Sequence, residues 1–437
     1  MKILLIQPPL EDFYTTPIRL YPLGLLYAAK VFQLNGVDVR ILDCLNPLKK
    51  RRIPLPSTFG YLEPFLKETP YFFKGYYRFG IEEEKVLKEI RSFGPDAVGI
   101  SSQYTAYFKS VADVAAAIKA HFDLPVFIGG NHATVFADKI LTRCPHIDRV
   151  LAGPAETCIP GFLEEMGVAA SKIDWKKILP DRGLISGGAY RIGKRAYISI
   201  SASRGCPFAC EFCSVAAMFG RRIEYRDPNA VIDEMRASRV QNQTSVFNFE
   251  DDNLSFNRQW FCAFLEAVSK ESDLRGVELT AMNGLCHSTL NEEILVLMKK
   301  AGFQRLNLSL VTRDDALQKI LRRPGSGQHI ESLIREAHQL GFYITVYLII
   351  GLPGQTRKEI QDTIDYLFDQ KVLVGPSIFY FPPGSALYDR LFLPETLKDN
   401  WELYRSSAFA LETEDLSRKD LVDFFTEVRV RNLSLRS

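Results

Sequence analysis

Three cysteines stand at Cys-x3-Cys-x2-Cys spacing in the stretch Ser203-Arg204-Gly205-Cys206-Pro207-Phe208-Ala209-Cys210-Glu211-Phe212-Cys213. The alternating apolar segment before it, Tyr197 to Ser201, reads as a strand. Three thiolates on one short loop can hold three irons of a cubane iron–sulfur cluster while the fourth iron keeps an open position for chemistry. A closed cluster or a structural zinc site needs four ligands, and no fourth cysteine follows at comparable spacing. Zinc would have to recruit Cys286 or His287 from far along the chain, and a disulfide would leave one thiol unpaired. An open 4Fe-4S cluster employs all three thiols and needs no further ligand from the chain.

This loop resembles the signature of the radical S-adenosylmethionine (radical SAM) enzymes, including the aromatic Phe212 before the last cysteine. The resemblance implies that Cys206, Cys210 and Cys213 carry the cluster, that S-adenosylmethionine chelates the open iron, and that Phe212 lies by its adenine. It also implies a one-electron donor such as a flavodoxin or ferredoxin, since reductive cleavage of the sulfonium yields methionine and a 5'-deoxyadenosyl radical.

Elements must position that loop, and 437 residues exceed the ~250 to 300 at which single cores split. Two domains and an appendage are expected. Lysine and arginine number 54 against 52 acids, a formal charge of +2, which gives no field for nucleic acid. The local run Lys49-Lys50-Arg51-Arg52 reads as a solvated loop. Aromatics reach 12 % and concentrate between Phe59 and Phe79, where core packing and the lining of an apolar pocket both remain open. The opening segment is too soon broken by Pro8 and Pro9 to be a signal peptide, and no apolar run approaches the ~20 residues of a membrane span. A cytoplasmic protein is expected. Eight cysteines in so long a chain are no disulfide scaffold, and the five outside the triplet read as buried apolar residues.

Residues 1–165 alternate strand and helix signals five times, with strands at Lys2 to Gln7, Val37 to Asp43, Asp96 to Ser101, Pro125 to Gly129 and Asp148 to Ala152. This pattern predicts a parallel sheet covered on both faces, with ligands outside the carboxyl ends of the strands. Gln7 and Pro8, then Ser102, Gln103 and Tyr104, then Gly129, Gly130, Asn131 and His132, and last Gly153 stand at those ends. Pro22-Leu23-Gly24-Leu25-Leu26, Pro95-Asp96-Ala97-Val98-Gly99-Ile100-Ser101 and Gly129-Gly130-Asn131-His132-Ala133-Thr134 resemble the cobalamin-binding domain that precedes the radical domain in one large subclass. That resemblance implies a Rossmann-like (flavodoxin-like) fold and makes the strand-end residues candidates for cobalamin contact. His132 could approach a corrin or simply start its helix with a hydrogen bond to backbone. Two places depart from the pattern. Asp43-Cys44-Leu45-Asn46-Pro47-Leu48 lacks the histidine that ligates cobalt in many cobalamin domains, and Gly153-Pro154-Ala155-Glu156 replaces a Gly-Glu-Gly-Glu run.

A polar linker is expected over 166–195, with turns at Asp181-Arg182-Gly183 and Ser186-Gly187-Gly188. Six further strand and helix units over 196–388 predict a partial (β/α)6 TIM-type barrel with its working residues at strand C-terminal ends. Glu250, Asp251 and Asp252 follow the second strand, where the resemblance implies contact with the S-adenosylmethionine amino group; charge repulsion argues that not all three are ligands and that the rest cap the next helix. Ser309 on the fourth strand is a candidate for ribose or carboxylate contact, while Val311 stands where the family often has a glutamate. Gly351, in Gly351-Leu352-Pro353-Gly354-Gln355-Thr356, permits close approach near adenine, and Thr356 can cap the following helix. Residues 389–437 predict a small helical tail.

The fold class is α/β. The function implied is a radical SAM enzyme, most directly one using cobalamin to methylate an unactivated carbon of a small-molecule or peptide substrate. A non-methylating radical cyclisation or rearrangement is the nearest alternative, and an iron–sulfur electron-transfer protein is the alternative of another class.

Overall fold

The computed structural model describes residues 1–16, 21–185, 190–325 and 327–435. The chain divides into two compact units. The first comprises Met1–Gly60, Phe73–Tyr190 and Leu393–Tyr404, and the second Tyr61–Phe72, Arg191–Phe392 and Arg405–Ser437. Unlike the consecutive segments expected from sequence, each unit thus borrows a short piece from elsewhere in the chain.

The first unit is built on five parallel strands: β1 (Lys2–Gln7), β2 (Asp38–Asp43), β3 (Ala97–Ser101), β4 (Val126–Gly129) and β5 (Arg149–Leu151). Their order is β2-β1-β3-β4-β5, the flavodoxin-like arrangement. Ile3 to Ile6 are all buried, as a strand covered on both faces requires. The register sets Gln7 beside Asp43, Ser101 beside Gly129 and Gly129 beside Leu151, so the strand ends form one edge. The switch point lies between β1 and β3, whose neighbours run outward in opposite directions.

Two features of this unit depart from the sequence reading, and a choice that it left open is decided. Lys50–Ile53 is not a loop but an edge strand of a three-stranded antiparallel sheet with Tyr76–Phe79 and Leu10–Asp12. Its charged side chains suit an edge. Of the aromatic concentration, Phe59, Phe73 and Tyr76 are core, meeting one another or Phe13 ring to ring at 4.9 to 5.5 Å. The expected linker instead carries Trp175 and Ile178 into the apolar core with Phe32, Phe162 and Leu163. The Asp181 turn forms, its carboxylate accepting from the Gly183 amide at 3.0 Å. The Ser186-Gly187-Gly188 turn lies outside the described residues.

The second unit holds the parallel strands β6 (Arg195–Ile200), β7 (Val246–Phe249), β8 (Glu278–Thr280), β9 (Leu285–Cys286), β10 (Arg305–Val311), β11 (Tyr343–Ile350) and β12 (Leu373–Ile378). They pair in chain order as β6-β7-β8 and β9-β10-β11-β12, and an isolated bridge from Leu279 to Phe303 joins the two halves. The short strand β9 follows β8 as an extra piece that the sequence reading did not call; the result is the incomplete barrel. Helix Glu292–Ala301 shows how its helices arise. Asn291 caps it through the Ile294 amide at 3.1 Å, Ile294, Leu295, Met298 and Ala301 bury one face, and Gly302 ends it with φ +111°. Helix Arg418–Ser434 completes the unit, opened by a capping box of Ser417 and Asp420.

Candidate active site

The cysteine loop leaves the C-terminal end of β6 and is fastened from β7. Asp251, which is buried, accepts from the Ser203 amide, from Ser203 Oγ at 2.5 Å and from the Ala202 amide at 3.2 Å. Burial pushes its pKa up to about 7, against the pull of those donors. Asp252 accepts from the Gly205 amide at 2.9 Å. Glu250 accepts from Ser199 Oγ at 3.1 Å and Asn248 Nδ2 at 2.5 Å. Asn257, not an acid, caps the following helix, so that expectation is corrected: Asp251 and Asp252 hold the loop backbone instead. Behind them Arg226 and Glu234 pair at 2.5 Å with both side chains buried, and Arg226 donates to the Ser201 carbonyl at 3.1 Å.

Gly205 turns the chain at φ +85°, and a Cβ there would stand 2.1 Å from the Arg222 carbonyl oxygen. Only glycine fits. The three thiols that follow lie within one another's field, and burial pushes Cys213 up to about 11 and raises Cys206 and Cys210. Among the described residues no three His, Cys, Asp or Glu side chains close on a single ion. A 4Fe-4S cluster with one open corner would take one thiolate at each of three irons, and Cys206, Cys210 and Cys213 are that donor set. Asn253 Nδ2 donates to Cys206 Sγ at 3.4 Å and Arg323 Nη1 to Cys210 Sγ at 3.9 Å. Donors of this kind stabilise sulfur-borne negative charge. Arg323 also donates to the Ser309 carbonyl at 2.8 Å and lies in the field of Cys286, which also acts on Cys210 despite its distance in sequence.

Phe212 packs with Val311, Leu317, Leu352 and Phe379. Val311 has φ +79°, rare for a β-branched residue, at a bulge in the β10–β11 register. Ser309 stands opposite Cys286 and Tyr347, half-buried. Gly351, at φ +93°, donates its amide to Gln355 Oε1 at 2.8 Å, and Thr356 caps the next helix through the Glu359 amide at 3.2 Å, as expected.

In the first unit Gln7, Pro8, Gly129 and Gly153 lie half-buried at the strand ends, with Gln103, Tyr104 and Asn131 exposed. Ser102 is buried, and its carbonyl accepts from the His132 amide at 3.2 Å. A Cβ on Gly130, at φ +123°, would fall 2.7 Å from that carbonyl. Thr134 Oγ1 donates to the Gly130 carbonyl at 2.9 Å and accepts from the Gly153 amide at 2.9 Å, tying two strand ends together. At these glycines the backbone of the edge is open to close approach. His132 is not presented there. It is 1 % exposed, walled by Phe108, Phe136 and Trp401 at 4.7 to 5.2 Å, and bonded through Nδ1 to Thr105 Oγ1 at 3.1 Å.

The Radical SAM superfamily model matches residues 200–367, and the B12 binding domain model matches residues 72–163. Together they span more than half of the chain. The chain belongs to the radical SAM enzymes that carry a B12-binding domain. The cofactors of that class are the 4Fe-4S cluster, S-adenosylmethionine and cobalamin. The chain is 25 % identical over 92 % of its length to cytidylyl-2-hydroxyethylphosphonate methyltransferase of Streptomyces wedmorensis, covering 84 % of that protein. It is 24 % identical over 84 % of its length to the anaerobic magnesium-protoporphyrin IX monomethyl ester cyclase of Rubrivivax gelatinosus, covering 72 % of it. The fold matches that of the radical S-adenosylmethionine methyltransferase TsrM from Kitasatospora setae with a TM-score of 0.66 at 16 % identity, over 89 % of this chain and 77 % of that one.

Sequence reasoning assigned no role to Asn253, Arg323, Thr134 and Trp401. Asn253, following directly on the acidic run, and Thr134, closing the Gly129-Gly130 motif, carried a signal.

Proposed function

We propose that this radical SAM enzyme methylates an unactivated carbon of a small-molecule or peptide substrate with cobalamin as methyl carrier. The observation that carries the reading is the presence in one chain of an open three-thiol loop on a partial barrel and a β2-β1-β3-β4-β5 sheet with glycines at the carboxyl ends of β4 and β5. When bound, the cluster and S-adenosylmethionine supply a 5'-deoxyadenosyl radical and the corrinoid supplies the methyl group. The chain's own residues position these groups. Cys206, Cys210 and Cys213 hold the cluster, Asp251 and Asp252 fix the loop that bears them, and Asn253 and Arg323 donate toward its sulfurs. Phe212, Glu250, Ser309 and Gly351 line the ground for S-adenosylmethionine. Gln7, Pro8, Ser102, Gln103, Tyr104, Gly129, Gly130, Asn131 and Gly153 form the corrinoid edge, with His132 behind it. The reducing electron comes from a carrier protein such as a flavodoxin or ferredoxin, and the enzyme works in the cytoplasm. No helix among the described residues is long and apolar enough to cross a membrane.

The test is anaerobic reconstitution with iron, sulfide and hydroxocobalamin, removal of unbound corrinoid, and analysis of turnover products. A corrin spectrum retained in stoichiometric ratio, with 5'-deoxyadenosine and S-adenosylhomocysteine both formed, supports methyl transfer. The similarity to a cyclase favours one second reading, a radical cyclisation. Deoxyadenosine without S-adenosylhomocysteine would establish that reading in place of the first.

A further inference from the structure

Residues 210, 211 and 212 of the cysteine loop are all met by one segment, Val311 to Arg323. Val311 packs with Phe212. The Leu321 carbonyl accepts from the Glu211 amide at 3.0 Å, and Arg322 Nε lies 3.0 Å from Glu211 Oε1. Arg323 Nη1 reaches Cys210 Sγ at 3.9 Å. Both ends of the segment are strained in doing so, for Val311 has φ +79° and Arg322 φ +51°. Between them helix Asp315–Ile320, capped by Asp314 through the Leu317 amide at 2.6 Å, ends in a Schellman turn. The Arg322 amide donates to the Lys319 carbonyl at 3.1 Å and the Arg323 amide to the Gln318 carbonyl at 2.9 Å. Glycine suits the left-handed position of such a turn, yet an arginine stands there, paired to Glu211.

The turn delivers Arg323 to a place that holds no acid for it. Arg323 is half-buried, and among the described residues no carboxylate pairs with it. Its Nη2 donates to the Ser309 carbonyl at 2.8 Å, and its buried Nε has no partner. Burial alone would lower its pKa, but the field of Cys286, Cys210 and Cys213 raises it. A guanidinium drawn out of water without a counter-ion is unfavourable, so this one calls for negative charge on the sulfurs it faces.

We propose that Arg323 is a positioning residue that, acting through Cys210, raises the reduction potential of the cluster held by Cys206, Cys210 and Cys213, and that the strained segment from Val311 to Arg323 serves to present it there. This rests on the cluster reading given above. On reduction the site takes one electron from a one-electron donor of low potential, which is oxidised by one equivalent. No proton or atom is exchanged, and the site gains one negative charge. A guanidinium beside a coordinating sulfur favours that more negative form. Arg322, exposed and already paired to Glu211, is screened by solvent and has no such effect.

The test is a potentiometric titration of full-length reconstituted protein without S-adenosylmethionine. Dithionite is the reductant, and the readout is the electron paramagnetic resonance signal of the reduced cluster, normalised to its maximum so that iron content does not enter. At a set potential Arg323→Gln lowers the ratio of reduced to oxidised cluster about tenfold, which is a midpoint lower by about 59 mV. Arg323→Lys, which keeps the charge, and Arg322→Gln, which leaves Glu211 paired to Arg390, keep the wild-type midpoint. If Arg323→Gln assembles no cluster, Arg323→Lys decides: a wild-type midpoint supports the proposal, and a tenfold lower ratio overturns it. An unshifted midpoint in Arg323→Gln would overturn it as well. So would a shift that appears only once S-adenosylmethionine is added, because the guanidinium would then answer to that cofactor. An equal fall in Arg322→Gln would assign the effect to displacement of the loop and overturn it too. Wild-type protein that forms no dithionite-reducible cluster would sink the cluster reading itself, a separate failure.

Discussion

The Asp252 carboxylate accepts a hydrogen bond from the Gly205 amide at 2.9 Å, one residue before the first cluster cysteine. The loop is therefore aimed by an acid from the neighbouring strand end, next to Asp251, which grips Ser203 in the same way.

Gly205→Ala tests how tightly that aim is set. The methyl group would meet the Arg222 carbonyl at 2.1 Å in a backbone region that costs a non-glycine residue about 1 kcal/mol or more by itself. The expected outcome is a fall of several degrees in melting temperature and loss of most reconstituted iron. Full iron content in this variant would show that the loop tolerates another path.

Single Cys206→Ala, Cys210→Ala and Cys213→Ala variants are each expected to lose the 4Fe-4S absorption and electron paramagnetic resonance signals. Cys286→Ala is expected to keep both, although its thiol stands within the field of Cys210. Should Cys286→Ala abolish the cluster as the others do, Cys286 would be a fourth ligand and the open iron corner would be lost.

At the other cofactor edge, Gly130→Ala forces a methyl to within 2.7 Å of the Ser102 carbonyl. Either β3 or the helix after β4 must shift, and the strand ends lose their alignment. Retained corrinoid per protein after gel filtration should fall at least several-fold, with iron content unchanged. Undiminished retention would place the corrinoid elsewhere.

The pH dependence of stability follows from His132. Burial lowers its pKa from 6.5 to about 3. Between those values the unfolded chain binds a proton that the folded chain refuses, so this contribution is whole above the unfolded value and is lost as pH falls toward the folded one. Near pH 5 the loss is about 2 kcal/mol. His287, lowered to about 4 by burial, adds a loss of the same sign in the second unit. Thermal melts of apo-protein near pH 7 and near pH 5 should show a smaller gap for His132→Phe than for wild type. An unchanged gap would mean the ring is not held neutral.

Strands β1, β3 and β4 were legible because a strand buried on both faces has to be a short apolar run, and Ile3 to Ile6 is one. The cluster loop was legible because its ligands are local in sequence. Lys50–Ile53 was not, since an exposed edge strand carries the charges of a loop. The acids after β7 could be recognised by type, but not the direction of their bonds, because the amides they hold lie 47 to 49 residues earlier. Arg323 and Trp401 gave no warning, each being a single residue delivered to its site by tertiary structure alone.

Trp401 has a consequence for how the protein can be made. It belongs to the first unit, yet more than two hundred residues separate it from Tyr190, where the rest of that unit ends. At ribosomal speeds the aromatic face of Phe108, His132 and Phe136 waits roughly 10 to 40 seconds for its cover, while the whole barrel emerges in between. A fragment cut at residue 190 would never receive it. The order of synthesis does not follow the division into units, and the first unit is finished only after most of the second has been synthesised.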